Sequence, residues 1–160
     1  MTEDVILGLL GLWRSSKERT MKTYQTTIDI AASPAAVWQV LTQKLPDDPT
    51  AFGILRLDGN VAKGAKIKLW SEVAPDRAFA LTVVTFDAPQ KMVWRGGMPL
   101  GLFTGTRTFT LTPNGAGTTF HMQEVFTGLM SGMITKNMPD LTPSFTKFAT
   151  TLKMKAETDD

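Results

Sequence analysis

The chain has 160 residues, 42% hydrophobic and 20% charged, which excludes an intrinsically disordered polymer and fits one domain burying roughly two thirds of its unfolded surface. Its 17 basic and 15 acidic residues give a formal charge of +2 scattered along the sequence, so no cationic face for nucleic acid is expected. Without cysteine there is no disulfide or thiolate chemistry, and with His121 as the single histidine there is no histidine-cluster metal site; a reducing cytoplasm is the expected compartment.

Residues 1–20 are set apart by an apolar run, Val5 to Trp13 (VILGLLGLW), followed by Arg14, Lys17 and Arg19. A secretory signal carries positive charge before its apolar run, whereas here Glu3 and Asp4 come first. A transmembrane helix needs about 20 apolar residues, about twice this length, so no stable membrane insertion is expected. The pattern predicts a short docking helix or ordered arm, with a homodimer or membrane-surface contact, or disorder, as alternatives.

Tyr24 to Ile30 alternates apolar and polar residues, the period of a half-buried strand. Ser33 then suits an N-cap with Pro34 in the first turn, and Val37, Trp38 and Leu41 make a helical apolar stripe that should end before Pro46 and Pro49. Phe52 to Leu57 and Ala65 to Val73 read as a hairpin around Asp58, Gly59 and Gly64. Phe79 to Phe86 and Lys91 to Arg95 read as a second, turning at Asp87 to Gln90. The clearest strand is Phe103 to Thr112: five threonines from Thr104 to Thr112 share one face, and Phe103, Gly105, Arg107, Phe109 and Leu111 the other. A turn at Asn114 to Gly117 leads into its partner, Thr118 to Phe126. Gly128 to Met138 is a loop or a separate helical turn. Spacings of three and four through Leu141, Phe145, Phe148 and Leu152 predict a final helix from Asp140 or Thr142 to about Ala156. Seven strands in consecutive hairpins with one short and one long helix make an antiparallel α+β layout.

Ile30-Ala31-Ala32-Ser33-Pro34 followed by Val37-Trp38 and Leu41, then Pro89 with Met92-Val93-Trp94, then Gly117-Thr118-Thr119 with Glu124 and Gly128, resembles the START-like superfamily of the bacterial polyketide cyclase/dehydrase and lipid-transport type, also called SRPBCC. The likeness covers Tyr24 to Leu152 and rests on the order of elements. It implies a helix-grip fold, in which a curved seven-stranded sheet wraps a long C-terminal helix and leaves a deep apolar pocket. It makes residues 21–160 a START-like ligand-binding domain and leaves 1–20 as an added arm. Members bind lipids, sterols, polyketides or plant hormones, and a minority catalyse cyclisation, dehydration or aromatic-ring chemistry.

Within the last hairpin, Arg107 and Glu124 fall on the apolar faces, directly opposite each other if Thr112 and Thr119 flank the turn. Inward charges are rarely left unpaired. They are either an ion pair fixing the hairpin or a cavity-wall pair in which Arg107 binds a carboxylate, enolate or phenolate and Glu124 orients it or accepts a proton. His121 falls on the opposite face, where a lone exposed sheet histidine is expected; Asp29, Asp47 and Asp48 lack metal-ligand spacing. The expected ligand-contacting set is Phe52, Leu69, Leu81, Val83, Trp94, Phe103, Phe109, Met122, Met133, Phe145 and Phe148. Met130, Met133 and Met138 would line an adaptable entrance, and Gly96, Gly97, Gly101 and Gly105 a flexible mouth loop.

Neither a nucleophile with its base nor a cofactor fingerprint is present, so no cofactor is expected and binding is favoured over catalysis. The leading expectation is a protein that takes a hydrophobic small molecule between sheet and C-terminal helix. The alternatives are a cyclase/dehydrase-type enzyme using Arg107 and Glu124, and an interaction module acting through the arm.

Overall fold

Alternation along the first strand carries through Lys22–Ile30 (β1), two residues earlier than the sequence pattern suggested. The computed structural model describes residues 21–158; the arm expected over 1–20 lies outside the described residues. Ser33 caps helix α1 (Pro34–Gln39), its Oγ accepting the Ala36 backbone N–H at 3.2 Å. The helical path does not stop before Pro46 as expected. It widens into a π-helical turn, Val40–Lys44, and continues as α2 (Leu45–Asp47) with Pro46 inside. Proline lacks an N–H and its ring crowds the carbonyl four residues back. The wide turn, in which the Leu45 N–H reaches the Val40 carbonyl, makes room for it while Leu41 and Leu45 stay fully buried.

Phe52 ends a 3-10 turn (Pro49–Phe52) rather than opening a strand, because Gly53 behind it is left-handed at φ 82°. The sheet resumes as β2 (Ile54–Asp58) and β3 (Lys66–Ser71). Strands β4 (Ala74–Asp87) and β5 (Lys91–Met98) run well past their expected bounds, five residues upstream and three downstream respectively. A 3-10 turn (Pro99–Gly101) leads to β6 (Phe103–Asn114) and β7 (Gly117–Thr127). The 128–138 segment contains a separate short helix, α3 (Ser131–Lys136), and the chain closes with α4 (Thr142–Thr158).

All seven strands form one antiparallel sheet in the order β1-β7-β6-β5-β4-β3-β2. Six follow the chain as a meander, and β1 closes the far side against β7. The sheet curls around α4, whose Phe145, Phe148, Ala149, Leu152 and Ala156 are buried at helical spacing. Phe148 is the hub, with ring centroids 5.1 Å from Phe52, 5.9 Å from Phe109 and 6.3 Å from Phe120. The C-terminal end of α4 is tied to the end of β1: Glu157 Oε1 accepts from the Ala31 backbone N–H at 2.8 Å, and Lys153 Nζ donates to the Asp29 carbonyl at 2.8 Å. This is a helix-grip fold.

Candidate functional site

The inward faces of the central strands fall in rows across the sheet. One row runs Val83, Trp94, Arg107, Glu124, Tyr24; the next, towards the loops, runs Leu81, Gly96, Gly105, Phe126. Two facing glycines on the central strands leave the second row without side chains at its middle. Beneath α4 at that point lies a cavity of about 420 Å³, within the usual range for small-molecule pockets.

The glycines there are strand residues, which corrects the expectation of a flexible glycine loop. A Cβ on Gly97, at φ 151°, would fall 2.0 Å from the Phe103 carbonyl oxygen, and one on Gly96 would fall 2.3 Å from that of Ala80. Close backbone approach across neighbouring strands, rather than a turn, demands them. Of the quartet only Gly101 sits in the connecting turn.

Eight of the eleven expected contact residues line the cavity: Phe52, Leu69, Leu81, Trp94, Phe103, Met122, Phe145 and Phe148. Three do not. Val83 and Phe109, both 0% exposed, lie in solid core; Phe109 is one inward position beyond Arg107 on β6 and packs against Trp94. Met133 is 60% exposed, because on α3 it is turned about 100° from Ile134, and Ile134 and Met138 line the cavity in its place. The sequence reading missed Phe79, Met98 and Phe126, whose alternation with their strand neighbours was the available signal, and Arg77, an exposed residue stacked 5.3 Å from the Phe79 ring.

Arg107 and Glu124 are register partners, as the Thr112–Thr119 pairing requires, and both line the cavity. Arg107 Nε donates to Glu124 Oε2 at 2.9 Å and Nη2 donates to the same oxygen. Their side chains are only 22% and 15% exposed. The guanidinium lies 5.0 Å from the Phe145 ring centroid, a cation–π contact that fixes it against α4. Glu124 Oε1 accepts no hydrogen bond among the described residues, and Gly105 beside it leaves it uncovered: a Cβ there would come within 3.4 Å. Arg77, Arg107 and Glu124 are the charged lining residues, an excess of one positive charge in an otherwise largely apolar wall. His121 is on the outer face, its Nε2 3.2 Å from Gln25 Oε1.

Among the described residues no group of three or more histidine, cysteine, aspartate or glutamate side chains could hold a metal, and no helix is long and apolar enough to cross a membrane.

Residues 21–157 match the family described as polyketide cyclase / dehydrase and lipid transport. Among curated proteins none matches. Solved structures do. Protein MLL2253 from Mesorhizobium loti is 17% identical, with a TM-score of 0.66 over 87% of this chain and 99% of that one. Truncated norcoclaurine synthase from Thalictrum flavum is 14% identical, with a TM-score of 0.60 over 83% and 91%. The di-domain ARO/CYC StfQ from the steffimycin biosynthetic pathway is 12% identical, with a TM-score of 0.63 over 91% of this chain and 52% of that one. At these identities the likeness is one of fold.

Proposed function

The chain belongs to the polyketide cyclase/dehydrase and lipid-transport family of START-like proteins, and on that premise we propose that it binds a hydrophobic, electron-rich or weakly acidic small molecule between the sheet and α4. The observation that carries the reading is the hollow itself: about 420 Å³, walled by aromatic and aliphatic side chains, with one ion pair and one further arginine in its lining. A solid interior would give a lipid-like or aromatic molecule nowhere to go; this one offers a volume suited to two or three fused rings or a folded acyl chain. The positive excess suits a ligand bearing a carboxylate, enolate or phenolate.

Native mass spectrometry of freshly purified protein tests this directly, with 1-anilinonaphthalene-8-sulfonate as an added apolar anion. A co-purifying apolar species, or saturable binding of the dye that Gly105→Val weakens at least about tenfold, is the expected result. An unliganded mass together with no dye binding sinks the reading.

A cyclase/dehydrase-type reaction is the second reading. Glu124 Oε1, open to the cavity beside a fixed guanidinium, carries it: Arg107 would stabilise a developing enolate and Glu124 would move the proton. Norcoclaurine synthase and StfQ put enzymes on this fold. If the chain is an enzyme, Glu124→Gln abolishes turnover while substrate affinity survives; equal loss of both assigns the residue to binding.

A further inference from the structure

Trp94 Nε1 is, among the described residues, the one buried side-chain nitrogen or oxygen with no hydrogen-bond partner. The residue is 1% exposed and lines the cavity. Buried indole N–H groups ordinarily find an acceptor, so an orphan on a cavity-lining residue points to an acceptor brought by a ligand, which reaches the covered N–H as the surrounding side chains adjust to it.

The surroundings of Trp94 explain why the protein supplies no acceptor. Its cross-strand partners are Val83, which has no polar side-chain atom, and Arg107, which only donates. Phe109 packs against it edge-on with ring centroids 4.8 Å apart. The next inward position on β5 is Gly96, opposite Gly105, and neither carries a side chain. Arg107, in the same row, commits Nε and Nη2 to Glu124 and leaves Nη1 outside that pair. Two adjacent strands therefore bring a residue with a neutral donor and one with a cationic donor to one wall of an apolar hollow.

We propose that Trp94 Nε1 anchors an oxygen of the ligand, so that the cavity selects hydrophobic molecules with a carbonyl or phenolic oxygen at one end over hydrocarbons of the same shape. The oxygen sits against the Trp94–Arg107 row, and the apolar body extends over the Gly96–Gly105 strip towards Met98 and Ile134. This deepens the reading of the hollow as a ligand site and rests on it.

The test uses fluorenone and fluorene, which share a tricyclic frame and differ in a carbonyl oxygen. Wild-type protein binds fluorenone about five- to tenfold more tightly, the value of one hydrogen bond, and Trp94→Phe erases the ratio while still binding fluorene. In nitrogen-15-labelled wild-type protein, one of the four tryptophan indole N–H signals, identified by its contacts to the Phe109 ring, moves downfield with fluorenone and not with fluorene. This readout needs no variant to fold. Equal affinity for the two probes, a ratio that survives Trp94→Phe, or an indole signal that responds alike to both overturns the anchor and leaves the cavity reading standing. Binding of neither probe overturns both.

Discussion

The two ends of the concave face share one sheet and one helix but are built to opposite ends. Towards α1, the sheet presents Met92, Phe109, Leu111 and Phe120, each at most 2% exposed, beside the equally buried Leu152 of α4, and Met122 and Phe148 form the boundary where this solid end meets the cavity they line. Towards the Pro99–Gly101 turn, the same strands present Gly96 and Gly105 where a filled core would carry side chains, and α4 contributes Phe145 to a wall instead of a plug. The difference is a few Cβ positions on β5 and β6. A core becomes a hollow here by omission at two paired positions, with no change of fold.

Four changes break or sharpen that contrast. Phe148→Ala strikes the hub where the packed end meets the cavity wall, where three aromatic neighbours cannot all collapse into the space left, and should cost about 3–5 kcal/mol in urea unfolding. Arg107→Met, at the boundary between the ends, strands a carboxylate whose side chain is 15% exposed and should cost about 2 kcal/mol, most of it recovered in Arg107→Met/Glu124→Met. If the double variant is no better than the single one, the pair is not coupled as its geometry requires.

Gly105→Val fills the hollow end. Its Cβ meets only the Phe126 ring edge at 3.3 Å and Glu124 Oε1 at 3.4 Å, both at the far ends of side chains, and valine suits a strand. Stability should therefore change by less than about 1 kcal/mol while dye affinity falls at least about tenfold; large unfolding with intact binding would contradict the contrast.

The smallest effect belongs to Glu157, which clips α4 to β1 beyond the packed end. The Lys153 ammonium first, then the Ala31 N–H, hold its carboxyl below the ordinary value of 4.5. A depressed folded-state value stabilises above the unfolded one and is lost as pH falls through the folded one. The Tm gap between wild type and Glu157→Gln should be full at neutral pH, narrow below pH 4.5 and close on further acidification. A gap independent of pH would mean that the carboxylate charge plays no part in the clip.

Much of this architecture can be read from residue order. The threonine face from Thr104 to Thr112 sets the side chains of β6, and with the Asn114–Gly117 turn it places Arg107 against Glu124 before any coordinates are known. Proline misleads at residue 46, since a π-helical turn absorbs it. Glycine misleads at residues 96 and 97, because the local signal for a turn is the same as that for strands in close approach. Met133 is misplaced by one residue because α3 is too short, at six residues, for its apolar face to be fixed by periodicity. Val83 and Phe109 are correctly assigned inward but lie where the core is solid.

What the amino-acid sequence determines by itself is which side of each strand and helix turns inward, since alternation of two and spacing of three to four are local properties of the backbone. What only the tertiary structure decides is how far along that inward side the space is filled. Filling depends on which side chains of α4 come over which row of the sheet. Trp94 shows the limit most clearly: its inward direction follows from periodicity, but the orphaned donor arises from Val83, Arg107, Phe109 and two glycines gathered from three strands, none of which supplies an acceptor.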